Sequence, residues 1–258
     1  MRLLNDILSN AQVDLFNMWD NSIVLMYRGS LAHGTYIPDS NPGSIDDKDI
    51  FGIAMPPRDW FFGLRDFEQF ERKEQYWDVL IYDLRKCVRL LLKANPNVLN
   101  ALFTSKDLLL KTSPQFELLQ ENRHFFVSKA IYPSFCGYAY GQLKKMENMA
   151  YKGYMGEKRK GLVDKFGYDT KNAQHLIRLQ RQGIEFLKTG ELVVVRPDAE
   201  ELKQIKLGQW SIEKVKEVAE IQFGLMEKAY KESSLPEHPD RKAADLLVQK
   251  IQEDYYKQ

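Results

Sequence analysis

The stretch YRGSLAHGTYIPDSNPGSIDDKDIFGIAM, residues 27–55, places a Gly-Ser turn and a group of aspartates between two apolar runs. The run SIVLMY at residues 22–27 is rich in β-forming residues and predicts a strand that is buried on both faces. The residues IPDSNPGS then predict a turn-rich loop. The residues DKDIFGIAM predict a second strand, which the following pair of prolines ends. We therefore expect a strand, a Gly-Ser turn, a loop and a strand, in that order.

The aspartates of this stretch suggest a metal site. Side chains two residues apart on a strand project from the same face, so we expect Asp47 and Asp49 to lie side by side. Buried carboxylates repel each other, and a divalent cation compensates that repulsion directly. Asp78 lies in a later predicted strand and would complete a three-carboxylate site for Mg²⁺ or Mn²⁺ if the two strands are neighbours. The alternative for the Asp-x-Asp pair is a solvated loop without a metal ion. Asp83 is an alternative third acid, although its position before a predicted helix also suits a helix cap.

The Gly-Ser turn has the features of a phosphate-binding turn. Gly29 allows the backbone to approach a ligand closely, and Ser30 offers a hydroxyl group. Backbone amides in the following helical turn carry partial positive charge, which suits the triphosphate of an NTP. His33 lies in the same turn and is a further candidate for the pocket. An ordinary turn without a ligand is the alternative.

The composition indicates a folded globular protein. Of the 258 residues, 44% are hydrophobic and 28% are charged, which excludes the disordered and collagen-like classes. The net charge is +1, so any contact with nucleic acid requires a local basic patch. No apolar run has the length of a membrane span, and the first residues do not have the pattern of a signal peptide. We therefore expect a cytoplasmic protein that has no membrane partner.

The pattern of apolar residues predicts an α+β fold. A small mixed β-sheet with flanking helices is expected at 1–105, followed by a mostly α-helical domain at 106–258. Within the first part we expect an amphipathic helix at 3–19 and a strand pair in DFEQFERKEQYWDVLIYDL. In the second part, ELVVVRPD is the one segment that favours a strand or an extended conformation.

One helix of the second part carries a basic face. Lys171, His175 and Arg178 recur at intervals of four and three residues, so they share one side of the helix and are candidates to bind a triphosphate. An exposed basic face, or a buried and hydrogen-bonded histidine, is the alternative. Tyr138 and Gln142 lie one turn apart and are candidate nucleotide-binding residues, although Tyr138 equally suits the core.

Residues 144–171 combine lysines and arginines with tyrosines. This mixture suits a nucleic-acid backbone with stacked bases, so the segment is the candidate site for an RNA acceptor. The glycines in it favour a mobile loop that closes over a substrate. A solvated charged loop is the alternative.

The order of Gly29-Ser30, Asp47-Lys48-Asp49 and Asp78 resembles the DNA polymerase β-type nucleotidyltransferase superfamily. A closer resemblance, over about 23–215, is to the nucleotidyltransferases associated with RNA ligases in bacteria and phages. It is carried by GSLAHGT, DDKDIFGIAMPP, DVLIYDLRKCVRLLLKANPNVLNALF, YDTKNAQHLIRL and TGELVVVRPDAEELKQI. Two departures are Asp46, which stands where the family usually has serine, and a longer loop after Gly34.

The resemblance implies a function. The reaction would transfer a nucleoside monophosphate from an NTP to a hydroxyl group, with release of pyrophosphate. Asp47 and Asp49 would bind both metal ions, and Asp78 would bind the catalytic metal and help to deprotonate the acceptor. The acceptor would be tRNA or another RNA end, in a bacterium or a phage-infected cell. The alternatives are a nucleotide-binding module without catalysis and an AMP- or UMP-transferase that modifies a protein partner.

Overall fold

The computed structural model describes residues 2–10, 12–13, 16–38, 40–41, 44, 46–147 and 157–257. Short 3₁₀ turns span Arg58–Phe61, Lys106–Leu108 and Arg123–Phe126. The strands are β1 Gln12–Val13, β2 Phe16–Asn17, β3 Ser22–Tyr27, β4 Lys48–Ala54, β5 Gln69–Glu74, β6 Trp77–Asp83 and β7 Leu109–Lys111. The helices are α1 Arg2–Ser9, α2 Met18–Asn21, α3 Gly29–Ala32, α4 Leu84–Leu91, α5 Pro96–Leu102, α6 Pro114–Glu121, α7 Ile131–Glu147, α8 Glu157–Phe166, α9 Thr170–Thr189, α10 Ala199–Lys206, α11 Ile212–Glu232 and α12 Arg241–Tyr256.

The central feature is a five-stranded sheet in the order β5-β6-β4-β3-β7. Strands β4 and β6 are parallel, and the other neighbouring pairs are antiparallel. This arrangement confirms the predicted α+β class with a small mixed sheet. Strand β7 has no counterpart in the sequence analysis, because it is only three residues long. It lies after residue 105, and the division into 1–105 and 106–258 stays a prediction.

The sheet separates two hydrophobic clusters. One face of β4, with Phe51 and Ile53, packs into a large cluster that includes α4, α5, α7 and α9. The opposite face, with Ile50, packs into a smaller cluster formed with α1 and with aromatic residues near the 3₁₀ turn. Side chains alternate between the two faces along each strand, so a polar residue at a strand start faces the same side as the apolar residues two and four positions later.

Helix α9 is the central element of the helical half. It packs against α7, α10 and α11, and most of its residues are buried. The side chain of Asp169 accepts a hydrogen bond from the backbone of Asn172 at its start, and Gly190 ends it in the left-handed conformation, with φ 73°. Local capping chemistry therefore fixes both ends of the helix, and with them the positions of its polar side chains.

A buried ion pair joins the two halves. The Nζ atom of Lys206, in α10, lies 2.8 and 3.0 Å from the two carboxylate oxygens of Asp46 and 2.7 Å from the carbonyl oxygen of Thr35. Asp46 also accepts a hydrogen bond from the backbone of Ile37. Both charged side chains are almost completely buried. This pair fixes the residue immediately before Asp47 to the helical half.

The expectation of one long helix at the start of the chain is wrong, and of the two conformations expected for ELVVVRPD the strand is not formed. The helix expected at 3–19 ends at Ser9, because β1 and β2 form a short antiparallel pair and Phe16 packs against Trp60 and Phe67. The segment ELVVVRPD forms no strand; its carbonyl groups instead accept side-chain hydrogen bonds from His33 and Gln182. Within the described ranges, no helix is both long enough and apolar enough to cross a membrane.

The buried pair makes a testable prediction about stability. We expect Asp46→Asn to lower the free energy of unfolding by about 3–5 kcal/mol, because it leaves the buried Lys206 without a counter-charge. We expect a smaller loss for Lys206→Met, because Lys171 remains 3.6 Å from Asp46. Urea denaturation of the metal-free protein measures this. Glu232→Gln removes an exposed carboxylate from a surface pair and serves as the control, with an expected loss below about 1 kcal/mol. Equal losses in all three variants would contradict the prediction.

Candidate active site

Three aspartates meet where β4 and β6 begin. In the parallel pairing of these strands, Asp49 is directly opposite Asp78. Asp47 precedes β4 and lies two residues before Asp49, and both side chains are partly exposed on the same side of the sheet. The expectation that the strand of Asp78 neighbours the strand of Asp49 is therefore confirmed. Asp83, the alternative third acid, caps α4 by accepting hydrogen bonds from two backbone amides.

The backbone at Gly29 lies directly against one of these aspartates. Its φ is +61°, and a Cβ atom at this position would lie 2.3 Å from an Oδ2 atom of Asp49. The backbone N–H of Arg28 donates to the carbonyl oxygen of Asp49 at 2.9 Å. Ser30 follows in α3, and its carbonyl accepts a hydrogen bond from Thr35. Only glycine allows this approach of the turn to the carboxylate without strain.

Two basic side chains lie among the acids. An Nη2 atom of Arg28 lies 3.6 Å from Asp78 and 3.9 Å from Asp49. Lys73, on the neighbouring β5, donates to Asp47 at 2.7 Å, and this hydrogen bond raises the pKa of the lysine. The carboxylates are therefore held together by cations that belong to the chain itself.

The charge of Asp49 is incompletely compensated. The pKa of its carboxyl group is raised to about 6, chiefly by burial and in smaller part by the nearby Asp78 and Asp47, while Arg28 and Lys171 oppose the shift. A raised pKa means that the folded protein holds the ionised form less favourably than water does. Additional positive charge at this position would therefore be stabilising.

The donor chemistry of the three aspartates fits Mg²⁺ or Mn²⁺. Both are hard cations that prefer carboxylate oxygens, and the raised pKa of Asp49 and the close approach of Gly29 leave this end of the sheet suited to a compact cation. As the side chains stand, no three His, Cys, Asp or Glu residues among those described are gathered closely enough to hold a metal ion. Arg28 and Lys73 are paired with the carboxylates, so a bound metal ion would take the place of these two cations.

A pocket of about 180 Å³ adjoins Asp49. It lies between the β3–α3 turn, α5 and α9, so both halves of the chain contribute to it. Its polar lining residues are Arg28, His33, Asp49, Asn97, Asn100, Thr104, His175 and Arg178, and its apolar wall includes Met26, Phe51 and Val194.

Arg178 is the most unusual residue of this pocket. Its side chain is buried, and an Nη1 atom donates to the neutral amide of Gln182 at 2.6 Å. Its Nε atom is buried without a hydrogen-bond partner, and within the described ranges no carboxylate forms an ion pair with it. The pKa of the guanidinium is lowered to about 10, chiefly by burial and in smaller part by the positive charge of Arg196, while Asp198 opposes the shift. The Nε atom of Arg28 is buried and unpaired as well. Two guanidinium groups with unfilled donors therefore line one pocket, which is the chemistry of an anion site.

The two histidines differ in their surroundings. His33 is buried, and its Nδ1 atom lies 3.0 Å from the carbonyl oxygen of Val194. Burial lowers its pKa well below the usual value, with Arg178 the next cause, so the ring is neutral and supports the wall of the pocket. His175 is only partly buried and lines the pocket. Lys171, the third member of the predicted basic face, lies 3.6 Å from Asp46 and is not part of the lining.

Other predicted residues lie elsewhere. Tyr138 and Gln142 are on α7, outside the lining of this pocket, and the hydroxyl group of Tyr138 accepts a hydrogen bond from Asn95. Their role in nucleotide binding stays a prediction. Within the basic segment 144–171, residues 148–156 lie outside the described residues, while Lys144 and Lys145 are exposed at the end of α7.

Sequence reasoning missed four pocket residues. Asn97, Asn100 and Thr104 recur at intervals of three and four residues, so α5 and the turn after it present a polar stripe within an otherwise apolar helix. The Nε2 atom of Gln182 donates to Asn100 at 3.2 Å, which links this stripe to Arg178. That spacing was a usable signal. For Arg28 the sequence held a weaker signal, which is its position directly before the Gly-Ser turn.

Comparisons with known proteins identify the family of the chain. The model of one family, described as the RNA repair pathway DNA polymerase beta family (RlaP), matches residues 9–249. No curated protein matches the chain. A crystal structure of a nucleotidyltransferase-like protein from Exiguobacterium sibiricum 255-15 is 10% identical, with a TM-score of 0.29; the alignment covers 83% of this chain and 70% of that one.

Two buried arginines give a matched test of the anion site. Arg196 is as buried as Arg178, but it pairs with Glu185 and Asp198 at 2.6 and 2.8 Å. We expect Arg196→Met to lower the free energy of unfolding by about 1–3 kcal/mol, because Glu185 loses its partner, and Arg178→Met to leave it unchanged or to raise it, because no carboxylate loses its partner there. Urea denaturation without ligand measures both. A loss in Arg178→Met as large as that in Arg196→Met would show that Arg178 is structural.

The raised pKa of Asp49 predicts a pH dependence of stability. Between about pH 4 and pH 6 the folded state keeps a proton that the unfolded state has lost, so the free energy of unfolding falls as the pH rises through this range. Asp49→Asn cannot ionise, and we expect it to be more stable than the wild type by about 1–3 kcal/mol at pH 8 and equally stable at pH 4. Thermal denaturation at both pH values tests this, with the exposed Asp107→Asn as the control. A stability difference that is the same at both pH values would contradict it.

Proposed function

Since the chain belongs to the RNA repair pathway DNA polymerase beta family, which gives it a nucleotidyltransferase-type function in RNA repair, we propose a specific reaction. The protein transfers a nucleoside monophosphate from an NTP to a hydroxyl group at an RNA end and releases pyrophosphate. The reaction depends on Mg²⁺ or Mn²⁺. The family match confirms the resemblance noted from the sequence. The NTP donor, the RNA acceptor and the metal ion are what we propose in addition.

One observation supports the proposal above all others. A group of three carboxylates lies directly beside a pocket that contains two guanidinium groups with unfilled donors, Arg28 and Arg178. An NTP bound to a metal ion has the complementary distribution of charge, because the metal is positive and the terminal phosphates are negative. A site that combines a carboxylate group with an adjoining basic pocket therefore suits nucleotidyl transfer better than binding of a neutral ligand.

Asp47, Asp49 and Asp78 would hold the metal ions. A bound divalent ion supplies neutralisation of the phosphate charge and a lower pKa for the attacking hydroxyl group. Arg178 binds the terminal phosphate oxygens through its free Nε–H, and His175 lies on the same side of the pocket. Arg28 leaves its two aspartates and donates to the same phosphates. The neutral ring of His33 keeps the wall of the pocket in place without adding charge.

The chemical step is an in-line displacement. The acceptor oxygen forms a bond to the α-phosphorus, and the bond from that phosphorus to the bridging oxygen breaks, so pyrophosphate leaves with the electron pair. Asp78 lies beside Asp49 at the start of β6 and takes the proton of the acceptor hydroxyl. The buried Arg178 stabilises the charge that develops on the leaving pyrophosphate.

The alternatives share the fold but differ in outcome. A nucleotide-binding module without catalysis does not require Asp78 opposite Asp49. An AMP- or UMP-transferase that modifies a protein uses the same carboxylates with another acceptor. The exposed Lys144 and Lys145, the first residues of the segment 144–171 that is predicted to bind RNA, favour the RNA acceptor.

The proposal is tested by incubating the protein with Mg²⁺ or Mn²⁺ and each α-³²P-labelled NTP in turn. RNA oligonucleotides, tRNA and the protein itself are offered as acceptors. We expect label on RNA with the wild type and a loss of at least about 100-fold with Asp49→Asn or Asp78→Asn, because each removes a carboxylate charge from the site. Arg178→Met should chiefly raise the KM for the NTP. Asp6→Asn, an exposed aspartate on α1, is the control and should transfer label normally.

The acceptor that carries label decides between the alternatives. Label on the protein alone would replace the RNA acceptor with a protein acceptor. Metal-dependent NTP binding without any labelled acceptor would favour the binding module. Full activity of Asp49→Asn would contradict the assigned site itself.

A further inference from the structure

A second concave surface lies between α4, α12 and the 3₁₀ turn Arg58–Phe61. It consists of two adjoining cavities of about 440 and 590 Å³, which share Arg85, Gln249 and Gln252. We call it the α4–α12 groove. Since α12 has 16 residues, the groove follows a helix roughly 24 Å long. None of its residues belongs to the site described above.

The groove concentrates positive charge in a nearly neutral protein. Its lining includes two acidic residues, Asp245 and Glu253, whereas the net charge of the whole chain is +1. Its six basic residues are Arg58, Arg85, Arg89, Arg241, Lys242 and Lys257. A local excess of this size creates an electrostatic potential that a polyanion recognises.

Most of these cations are available to a ligand. Four of them make no ion pair in the part of the chain that the structure describes; they are Arg58, Arg89, Arg241 and Lys242, and all four are exposed. Arg85 is already held by Asp83 and Asp66, and its guanidinium lies 4.3 Å from the ring of Phe61. Free arginines at the rim with a fixed arginine between them suit repeated contacts along a phosphate backbone.

Aromatic side chains accompany the charge. The side chain of Phe62 is 83% exposed, although exposing a phenylalanine to water is unfavourable. Beside it, the rings of Phe61 and Tyr256 meet edge to face at 6.0 Å, and the hydroxyl group of Tyr256 donates to the carbonyl oxygen of Pro56. The groove therefore offers one exposed aromatic ring close to two others, and an unpaired base can stack on an exposed ring of this kind.

We propose that the α4–α12 groove binds single-stranded RNA. The four free cations contact the phosphates, and Phe62 stacks on a base. An acidic protein surface would satisfy the charge but would leave Phe62 without a flat partner. The inference rests on the proposed RNA-directed function, since it names where the acceptor strand is held, and it concerns a different surface from residues 144–171.

The groove lies away from the aspartates of the candidate active site. Asp83 ends β6 and binds Arg85 of the groove, whereas Asp78 is near the start of that strand. Five residues of strand separate them by roughly 17 Å. RNA in the groove is thus held several nucleotides away from the reacting end. The groove therefore contributes to the binding of RNA and not to the transfer step.

The experiment is fluorescence anisotropy with a fluorescein-labelled oligouridine, in EDTA and without NTP. The groove variants are the double substitution Arg241→Gln with Lys242→Gln, and Phe62→Ala. The controls are Lys228→Gln with Lys231→Gln, which removes the same charge from exposed positions on α11, and Leu246→Ala, which removes an exposed apolar side chain of α12 outside the groove. All the substituted side chains are exposed, so the variants fold as the wild type does.

We expect each groove variant to raise the Kd about tenfold and each control to leave it within about twofold. The double variant should also reduce the slope of log Kd against log salt by about 1.4, the value for two lost phosphate contacts on a single strand. Groove variants that bind as tightly as the wild type, or a wild type that binds no RNA, would overturn the proposal. The assay requires neither metal nor transfer, so an inactive enzyme still gives a decisive result, and failure of the proposed reaction is seen separately with labelled NTP.

Discussion

The parallel pairing of β4 and β6 is the constraint on which the site depends. It places Asp49 opposite Asp78, with Asp47 on the same face, so like charges meet at one end of a buried sheet. In a medium less polar than water this arrangement is unfavourable, and burial raises the pKa of Asp49 to about 6. The surrounding residues reduce the repulsion: Gly29 leaves room for the carboxylate, and Arg28 and Lys73 supply positive charge. The fold thus holds the acids together but does not fully neutralise them.

The helical half places a second kind of charge opposite the acids. The buried pair of Asp46 and Lys206 fixes the start of β4 to α10, and α10 packs on α9. Because α9 also carries Arg178, the carboxylates and the buried guanidinium are held in one frame with the pocket between them. A substrate with a cation at one end and an anion at the other fits this frame without a large movement of either half. Pre-organisation of this kind is how a protein makes electrostatic stabilisation effective.

The sequence predicted those features that local chemistry or strand periodicity determines. The strand pair β5–β6, the Asp83 cap of α4 and the shared face of Asp47 and Asp49 all follow from short patterns. The features that failed depend on distant contacts. The helix expected at 3–19 ends early because aromatic packing around Phe16 outweighs local propensity. Strand β7 is too short to show a period. The pairing of Arg28 with two aspartates depends on strand order, which no local pattern contains.

The contrast between two buried arginines separates a structural guanidinium from a candidate binding group. Arg196 satisfies its guanidinium with Glu185 and Asp198, as a structural charge does. Arg178, close by and equally buried, has one neutral amide partner and an unfilled Nε–H. A buried charge without a counter-charge destabilises the folded state, and it persists where a ligand supplies the missing partner. Under the proposed function, the missing partner of Arg178 in this pocket would be the triphosphate of an NTP, and the neighbouring carboxylates would hold the metal ion that accompanies it.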